Sequence, residues 1–321
     1  MWMTPSKSTG HAQFCNVMAP YMATTEPTAL LRHYSPPAPA YDRYDAIPRE
    51  LRAEPFVKWA GSKKRHLSAF DPLFPAHFEA YHEPFVGGGS AFLYLAQVGR
   101  IEKGILSDLN AELIHLYRVI RDDVEALIAT LDQYQYETNF YYRIRSLDPS
   151  KMSPINRAAR MLFLNRTCFN GLYRVNSSGK FNVPFGRYTN PIICNAANLR
   201  HVHRLLQGVE LQRWTYETVL EVANSGDFVY LDPPSQVLAS SARFTDYSPE
   251  AFTDNHMGRL REVFDILDQR GCLVMLSNPN VALNRQLFDG YDIREVTSPR
   301  AVRRDGRRRG RRVELVIRNF A

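Results

Sequence analysis

Residues 80–97, AYHEPFVGGGSAFLYLAQ, decide the expected fold of this chain. Residues 80–86 have the composition of a buried strand, and they lead into three consecutive glycines. Apolar and aromatic residues follow, so Ser90 is expected to cap a helix that ends near Gln97. A strand that passes through a glycine turn into a helix is typical of α/β sheets that bind a ligand beyond the carboxyl ends of their strands.

The alternation of strand and helix continues along the chain. Helices are predicted at residues 111–120 and, from Ser248-Pro249 onward, up to Leu267. Short apolar stretches predict further strands at residues 104–107, 228–231, 272–276 and 313–317. We therefore expect an α/β fold, with a Rossmann-like, open, largely parallel sheet and helices on both faces.

Two regions depart from this alternation. Residues 1–54 are rich in Pro, Ser, Thr and Ala without a sustained period, so they are expected to form a poorly ordered extension before a folded domain at 55–321. At about 125–205, a helix near 156–165 precedes a run of Asn, Gly, aromatic residues and Arg, with a turn inside 172–183. This stretch is expected to be a small insertion of helices and a hairpin outside the sheet.

The positive charge is concentrated near the C-terminal end of the chain. Residues 300–318 contain nine arginines, among them Arg307, Arg308 and Arg309, against two acidic residues, which accounts for the whole net charge of +7. Such a segment suits a polyanion, because neutralised phosphates release their counterions. A solvated loop and a basic localisation tag are the alternative interpretations.

Cysteine and hydropathy patterns limit the class of protein. The four cysteines show no C-x-x-C pair and no metal-ligand spacing, which predicts no bound metal and favours a reducing cytoplasm. No apolar run approaches the ~20 residues that a membrane-spanning helix needs. The N-terminus lacks the pattern of a signal peptide, so a cytoplasmic protein without a membrane segment is expected.

Two acidic residues follow predicted strands. Asp108 ends the second strand, 19 residues after Gly89, where an acid can hydrogen-bond a ribose; this fits a nicotinamide-binding fold equally well. Asp232-Pro233-Pro234 follows the strand at 228–231. The prolines fix φ and remove N–H donors, so the Asp232 carboxylate and the Pro233 carbonyl are rigid acceptors for an exocyclic amino group. Taken alone, the tripeptide favours the alternative of a turn that merely ends a strand, because so short a motif discriminates poorly.

In their order, these motifs resemble the Dam-like family of DNA N6-adenine methyltransferases. The similarity covers roughly residues 55–320, with KWAGSK at 58–63, EPFVGGG at 83–89, SDLN at 107–110 and FVYLDPP at 228–234. Further matches lie at residues 157–160, 169–176, 179–188, 277–278 and 314–319. The resemblance implies a methyltransferase sheet with a target-recognition insertion, S-adenosyl-L-methionine as cofactor and double-stranded DNA as substrate.

The resemblance also implies roles for individual residues. The cofactor would contact Trp59, Lys63, Phe85, Gly87, Gly89, Asp108 and Asp232. The catalytic motif would be Asp232, Pro233, Pro234 and Ser235. DNA would contact Lys58, Phe169, Asn170, Arg174, Asn176, Pro184, Arg187, Arg307, Arg308 and Arg309.

Within the DNA-contacting set, Arg174 stands where relatives read a guanine, whose O6 and N7 accept two bonds from an arginine. Phe169 and Asn170 would enter the duplex as the adenine leaves it. The alternative interpretations are that Trp59 and Phe169 are core residues and that Arg174 and Arg187 contact phosphates without reading bases.

Ser235 departs from the family pattern, which usually has an aromatic residue that stacks on the flipped adenine. Such stacking is worth ~1–3 kcal/mol, and Tyr247 or Phe244 are candidates to replace it.

The expected activity is adenine N6 methylation at GATC by a monomer, with a cognate restriction endonuclease as a candidate partner. The alternatives are a catalytically impaired DNA-binding homologue and a cytosine N4 methyltransferase. A nicotinamide dehydrogenase is less favoured, since the sequence indicates no acid or base for hydride transfer.

Overall fold

The computed structural model describes residues 43–234, 252–297 and 313–321, and this part of the chain contains one seven-stranded sheet. The strands are β1 (Tyr81–Glu83), β2 (Gly104–Ser107), β3 (Val209–Gln212), β4 (Phe228–Leu231), β5 (Leu273–Pro279), β6 (Asp292–Thr297) and β7 (Val313–Arg318). Their order is β3-β2-β1-β4-β5-β7-β6. Only β7 runs antiparallel to its neighbours, β5 and β6. The predicted Rossmann-like, largely parallel sheet is confirmed.

Ten α-helices lie within the described ranges. They are α1 (Leu67–Phe70), α2 (Ser90–Ala96), α3 (Ala111–Asp122), α4 (Val124–Leu131), α5 (Thr138–Ser146), α6 (Pro154–Thr167), α7 (Ala196–Leu205), α8 (Val219–Val222), α9 (Asp254–Arg270) and α10 (Ala282–Leu287). Short 3-10 helices occur at Tyr44–Ala46, Arg49–Leu51, Asp71–Leu73, Pro149–Lys151, Phe169–Gly171 and Tyr216–Thr218. None of the described helices is both long and apolar enough to span a membrane.

The side chains of the central strands alternate between two cores. In β4, Phe228 and Tyr230 lie in the core beneath α2–α7, whereas Val229 and Leu231 lie in the core that includes α8 and α9. All four residues are buried, because helices cover both faces of a parallel sheet. The continuous apolar run FVYL is therefore the expected sequence for a strand at this position.

Two strands were not predicted from the sequence. β3 and β6 are the two edge strands, and their burial is interrupted by exposed residues. An edge strand faces solvent on one side, so polar residues break the apolar run that would have identified it.

Two predicted helix starts were wrong. Gly89, in a left-handed conformation with φ of 67°, is the N-cap of α2, and the Ser90 hydroxyl instead bonds the Ser62 hydroxyl at 2.9 Å. Helix α9 begins at Asp254 rather than at Ser248-Pro249, two positions that lie outside the described residues. The Thr253 backbone N–H donates to the His256 ring at 3.1 Å in a capping box, and this arrangement stabilises the later start.

Residues 43–54 pack against the folded domain. Ile47 and Ala53 are buried, and the Tyr44 ring stacks on Tyr94 with centroids 4.5 Å apart. The Ala53 N–H donates to Gln97 Oε1, and the Glu54 N–H donates to Asn198 Oδ1, both at 2.8 Å. Residues 43–54 therefore belong to the folded domain, although the sequence predicted them to be part of a poorly ordered extension. Residues 1–42 lie outside the described residues.

The insertion consists of α4–α7 and the loop between α6 and α7, placed between α3 and β3. Helix α6 packs against α3 and α4, so the insertion extends the helical layer on one face of the sheet. The expected hairpin is reduced to isolated bridges, Val175 with Phe181 and Cys168 with Phe185. The turn within it forms as predicted: Asn176 Oδ1 accepts the N–H groups of Ser178 and Lys180 at 3.1 and 2.9 Å.

Candidate active site

The candidate site lies where β1 and β4 are adjacent at the centre of the sheet. From β1 the chain proceeds outward to β2 and β3 on one side, and from β4 to β5 on the other, so the strand order reverses here. Ligands bind at such switch points in open α/β sheets, beyond the carboxyl ends of the strands. The glycine turn follows β1, and Asp232-Pro233-Pro234 follows β4.

The Asp232 carboxylate is oriented by two donors. Its Oδ1 atom accepts a bond from the Ser277 hydroxyl at 3.1 Å and lies 2.8 Å from Lys63 Nζ. The Tyr230 and Ser277 hydroxyls are themselves 2.8 Å apart. Burial raises the pKa of Asp232, and the Lys63 ammonium partly offsets this effect. Burial alone would lower the pKa of Lys63, but attraction by Asp232 and Glu314 outweighs it and raises that pKa.

Two further side chains beside Lys63 have unused hydrogen-bonding capacity. Lys63 Nζ lies 3.6 Å from Glu314 Oε2, and this buried oxygen has no hydrogen-bond partner within the described ranges. Neither ring nitrogen of buried His66 has one either, and burial lowers the pKa of His66. Buried polar atoms are nearly always satisfied in proteins. Three buried atoms without a partner in the described ranges therefore lie close to the Lys63 ammonium, at the edge of the sheet where a ligand is expected.

Glu83, at the end of β1, is a buried carboxyl group next to this cluster. Its Oε2 atom accepts bonds from the Tyr81 hydroxyl at 2.9 Å and from the Phe92 N–H at 3.2 Å. Burial, together with the negative charge of Asp232, raises the pKa of Glu83 to about 8. The bond that Glu83 accepts from the Phe92 N–H connects β1 to helix α2.

The glycine turn fits tightly between two aromatic side chains. A Cβ atom at Gly89 would lie 2.5 Å from the Tyr117 hydroxyl oxygen, and one at Gly87 would lie 2.8 Å from Trp59 Cδ1. The Tyr117 hydroxyl donates to the Gly87 carbonyl at 3.0 Å. Both glycines have positive φ, so packing and backbone conformation each require glycine here.

Asp108 connects the end of β2 to the same turn. One carboxylate oxygen accepts the Gly87 N–H at 3.1 Å, and the other accepts the Asn110 N–H at 2.8 Å. Burial raises the pKa of Asp108 to about 6. The structure thus brings Asp108 and Trp59 together at Gly87. Phe85 packs instead against the core on the opposite face of the sheet, the one that includes α8 and α9. Its ring stacks on Tyr216 with centroids 5.2 Å apart.

A buried amide joins Lys58 to residues 157–188, the part of the insertion that matches the family and is called the recognition segment below. Asn165 Oδ1 accepts the Lys58 N–H at 2.7 Å, and Asn165 Nδ2 donates to the carbonyls of Lys58 and Gly171 at 2.8 and 3.2 Å. The Lys58 ammonium lies 3.9 Å from the centroid of the Tyr188 ring. Burial and the nearby Arg166 charge lower the pKa of Lys58. Lys58 and the loop after α6 therefore form one structural unit.

Phe169 and Asn170 occupy an exposed turn at the end of α6. Phe169 is 49% exposed, which argues against the alternative that it is a core residue. Asn170 has φ of 54°, an uncommon conformation for a residue with a side chain. The Phe169 N–H donates to the Pro184 carbonyl at 2.9 Å, and this bond connects the turn to the second half of the recognition segment.

Of the predicted arginines, Arg174 is held by Asn182: its Nε donates to Asn182 Oδ1 at 2.7 Å. Arg187 is exposed. Ser235, Phe244, Tyr247, Arg307, Arg308 and Arg309 lie outside the described residues.

Arg318, at the end of the arginine-rich segment, is buried, pairs with Asp292 and donates to the Leu73 carbonyl. Arg318 is therefore a structural residue, and the cationic patch does not extend to it.

Several residues of the site were not assigned a role from the sequence. Glu83, Ser277 and Glu314 fell within the quoted motifs, but only their positions in space show what they contact. The available signal was an acidic residue inside an otherwise apolar strand, since such residues are rarely buried without a partner. The remaining residues of the site without a role assigned from the sequence are Tyr81, Tyr117, Asn165 and Tyr230.

Comparison with known proteins identifies the family of this chain. The family model of D12 class N6 adenine-specific DNA methyltransferases matches residues 59–302. The chain is 37% identical over 289 residues to the type II methyltransferase M.MjaIII of Methanocaldococcus jannaschii, covering 84% of this chain and all (100%) of the relative. It is 36% identical over 279 residues to the type II methyltransferase M1.LlaDCHI of Lactococcus lactis subsp. cremoris, covering 84% and 97%.

A third relative is the DNA adenine methylase of Escherichia coli strain K12, which is 33% identical over 272 residues, covering 81% of this chain and 93% of the relative. These similarities span the glycine turn, the insertion and the Asp-Pro-Pro motif together. The predicted resemblance and the predicted enzyme class are confirmed. The chain belongs to the family of D12 class N6 adenine-specific DNA methyltransferases.

Proposed function

We propose that this protein transfers a methyl group from S-adenosyl-L-methionine to N6 of an adenine in double-stranded DNA. The proposed target is GATC, and the adenine is flipped out of the helix before it reacts. The observation that supports this best is the buried Lys63–Asp232–Ser277 arrangement at the carboxyl end of β4. When bound, S-adenosyl-L-methionine supplies an electrophilic methyl group on a positively charged sulfur.

The residues present fit this cofactor. Each Asp108 oxygen accepts one backbone N–H, so a second lone pair on each is available for ribose hydroxyls. Lys63 supplies a cation for the cofactor's carboxylate. The unpaired Glu314 Oε2 atom leaves negative charge beside a site that would bind a sulfonium. Trp59, packed on Tyr173 and next to Gly87, offers an apolar ring at the turn.

Asp232 and Pro233 act on the substrate amino group. Both described donors to Asp232, Lys63 and Ser277, bond the Oδ1 atom, which leaves Oδ2 as the acceptor for an N6 hydrogen. Pro233 is buried and its carbonyl accepts the second hydrogen. Two acceptors raise the electron density on N6 and hold it in line for attack, so catalysis consists mainly of positioning and polarisation.

The recognition segment supplies the proposed DNA contacts. Arg174, oriented by Asn182, reads a guanine, and Phe169 with Asn170 fills the space that the flipped adenine leaves. The remaining proposed contacts are Lys58, Asn176, Pro184, Arg187, Arg307, Arg308 and Arg309. The exposure of Phe169 supports the wedge role, since an apolar side chain in solvent gains by entering the base stack.

Ser235 supports a second candidate, a DNA-binding homologue with impaired catalysis. The hydrogen-bond acceptors remain, but the adenine loses its expected stacking partner, worth ~1–3 kcal/mol. Membership in an N6 adenine-specific family disfavours cytosine N4 methylation and a dehydrogenase. A cognate restriction endonuclease, a monomeric state and a cytoplasmic location stay predictions.

The decisive test incubates purified protein with labelled S-adenosyl-L-methionine and unmethylated duplex DNA, followed by nucleoside analysis. N6-methyladenine confined to GATC would support the reaction, base and site together; label in another sequence context would overturn the GATC assignment. Cofactor binding without label in DNA would favour the impaired homologue. In that case Ser235→Tyr should raise the rate roughly tenfold to a hundredfold if the missing stack is the cause.

A further inference from the structure

We propose that Glu314 is a positioning residue that shares the Lys63 ammonium with Asp232 and thereby keeps the Asp232 carboxylate a strong acceptor for the substrate amino group. The proposal rests on the proposed function, because it concerns how Asp232 serves methyl transfer. Glu314 lies on β7, opposite Pro279 of β5, so its carboxylate points to the same sheet edge as Ser277 and Asp232.

The geometry around Lys63 places one cation between two anions. Nζ lies 2.8 Å from Asp232 Oδ1 and 3.6 Å from Glu314 Oε2, and it donates weakly to the Gly61 carbonyl at 3.4 Å. The Lys63 side chain is only 5% exposed. Burial lowers the pKa of His66. Two carboxyl groups, those of Asp232 and Glu314, thus lie against the single ammonium of Lys63.

Structural needs do not account for Glu314. Its Oε2 atom is buried and has no hydrogen-bond partner among the residues of the described ranges, which costs free energy relative to an exposed or apolar residue. Its closest described counter-charge is Lys63. A buried carboxylate whose main interaction is with a shared ammonium is expected to act on the other group that this ammonium contacts, Asp232.

Sharing the ammonium has a direct chemical consequence. A cation bonded to Asp232 alone draws electron density from the carboxylate and weakens it as an acceptor, whereas the nearby Glu314 charge offsets part of the ammonium's field and repels the Asp232 charge. Glu314 thus contributes to the raised pKa of Asp232. The charged and titratable groups that act on Asp232 are Lys63, Glu314, Glu83 and Tyr81 of β1, Tyr230 of β4 and, through Glu314 and Lys63, His66.

The first test measures the Asp232 carboxyl directly in the cofactor-free protein. NMR titration of protein with ¹³C-labelled aspartate carboxyl groups, assigned with Asp232→Asn, should show a lower Asp232 pKa in Glu314→Gln than in the unmodified chain. Glu295→Gln is the matched control, since Glu295 is an exposed glutamate on the adjacent strand β6 that pairs with Arg285. It should leave the Asp232 titration unchanged.

The second test measures the reaction. In Glu314→Gln we expect the single-turnover rate to fall roughly tenfold, which corresponds to ~1.4 kcal/mol, with the KM for DNA within about twofold. The acid limb of the rate profile should move to lower pH, because the pKa of Asp232 falls. Glu314→Asp keeps the negative charge, so the pKa of Asp232 should stay raised in this variant. It provides a test even if Glu314→Gln folds poorly.

An Asp232 pKa that is the same in Glu314→Gln and in the unmodified chain would overturn the proposal, as would an unmoved acid limb with a normal rate. A lower thermal midpoint with a raised KM and no shift of the acid limb would indicate a purely structural role and would also overturn it. If the Asp232 titration depends on Glu314 but the unmodified protein does not methylate DNA, the shared ammonium is supported and the proposed function is the part that fails.

Discussion

Lys63 and Asp232 form an ion pair across the carboxyl edge of the sheet, with Nζ 2.8 Å from Oδ1 and side chains that are 5% and 18% exposed. Lys63 belongs to the segment that we propose binds the cofactor, and Asp232 to the proposed catalytic motif. Removing one partner of a buried pair leaves the other charge uncompensated and commonly costs ~3–5 kcal/mol. In this site Glu314 remains beside Lys63 and limits that cost.

Asp232→Asn should therefore separate catalysis from folding. We expect the methyl-transfer rate to fall roughly 10²–10³-fold, as is typical when a residue that stabilises developing charge is removed. The thermal midpoint should fall only modestly, because Glu314 still compensates Lys63. Single-turnover kinetics and thermal unfolding measure the two effects. Asp289→Asn, at an exposed position, is the control for the substitution itself; equal rates in the two variants would contradict the role of Asp232.

The pKa of Glu83 predicts how stability depends on pH. The folded-state value of about 8 lies above the ordinary value of 4.5, so the folded protein binds this proton more tightly than the unfolded chain does. The stabilisation is complete below about pH 4.5 and is lost as the pH rises through about 8. Thermal unfolding should therefore show a midpoint that decreases with pH in this window.

Glu83→Gln should flatten that dependence, because the amide does not titrate, while Glu79→Gln, an exposed glutamate, should leave it intact. The pKa of Asp108, raised to about 6, also makes stability decrease with rising pH. This contribution is the same in all three proteins, so it does not affect the comparison. A Glu83→Gln profile that is parallel to the unmodified one would show that Glu83 is ionised in the folded state.

Alanine should destabilise the protein more at Gly89, in the glycine turn, than at Gly179, a glycine with a similar φ outside it. Gly89 has φ of 67° and Gly179 has φ of 70°, but only at Gly89 does a Cβ atom meet a neighbour, the Tyr117 hydroxyl. Gly179→Ala should cost ~1 kcal/mol from backbone conformation alone, and Gly89→Ala distinctly more. Chemical denaturation measures both. Adding Tyr117→Phe to Gly89→Ala should recover part of the loss, and no recovery would mean that the contact is not the cause.

Phe169 can be distinguished from a core residue by stability and activity together. Phe169→Ala should change the free energy of unfolding by less than ~0.5 kcal/mol, because the side chain is largely exposed. Phe163→Ala, a fully buried neighbour on α6, should cost ~3–5 kcal/mol. If Phe169 fills the space of the flipped adenine, its variant should still lose methylation rate, with fluorescence of 2-aminopurine at the target position reporting reduced flipping.

Arg174 and Arg187 should differ in what they contribute to DNA binding. Arg174→Ala should lower discrimination against a substituted guanine by ~1–3 kcal/mol. Arg187→Ala should weaken binding about equally for all sequences and reduce its salt dependence. Equilibrium binding to GATC and single-substituted duplexes at several salt concentrations measures both effects. A uniform loss in the Arg174 variant would assign it to the phosphate backbone.

The central strands and the glycine turn could be predicted from the sequence because their causes are local. A continuous apolar run such as FVYL identifies a strand covered on both faces, and three glycines between a strand and a helix identify a turn that approaches a ligand. The edge strands β3 and β6 could not be predicted, since half of their surface faces solvent and their composition resembles that of loops.

The order of motifs along the chain was enough to determine the family and the enzyme class, because each motif is short but their shared order is specific. Tertiary structure alone decided that Lys63, Asp232, Ser277 and Glu314 form one cluster and that Glu83 is buried, which raises its pKa to about 8. These residues come from the loop before α1, the end of β4, β5, β7 and β1. Their interactions depend on burial and on distances across the sheet, which no local pattern in the sequence encodes.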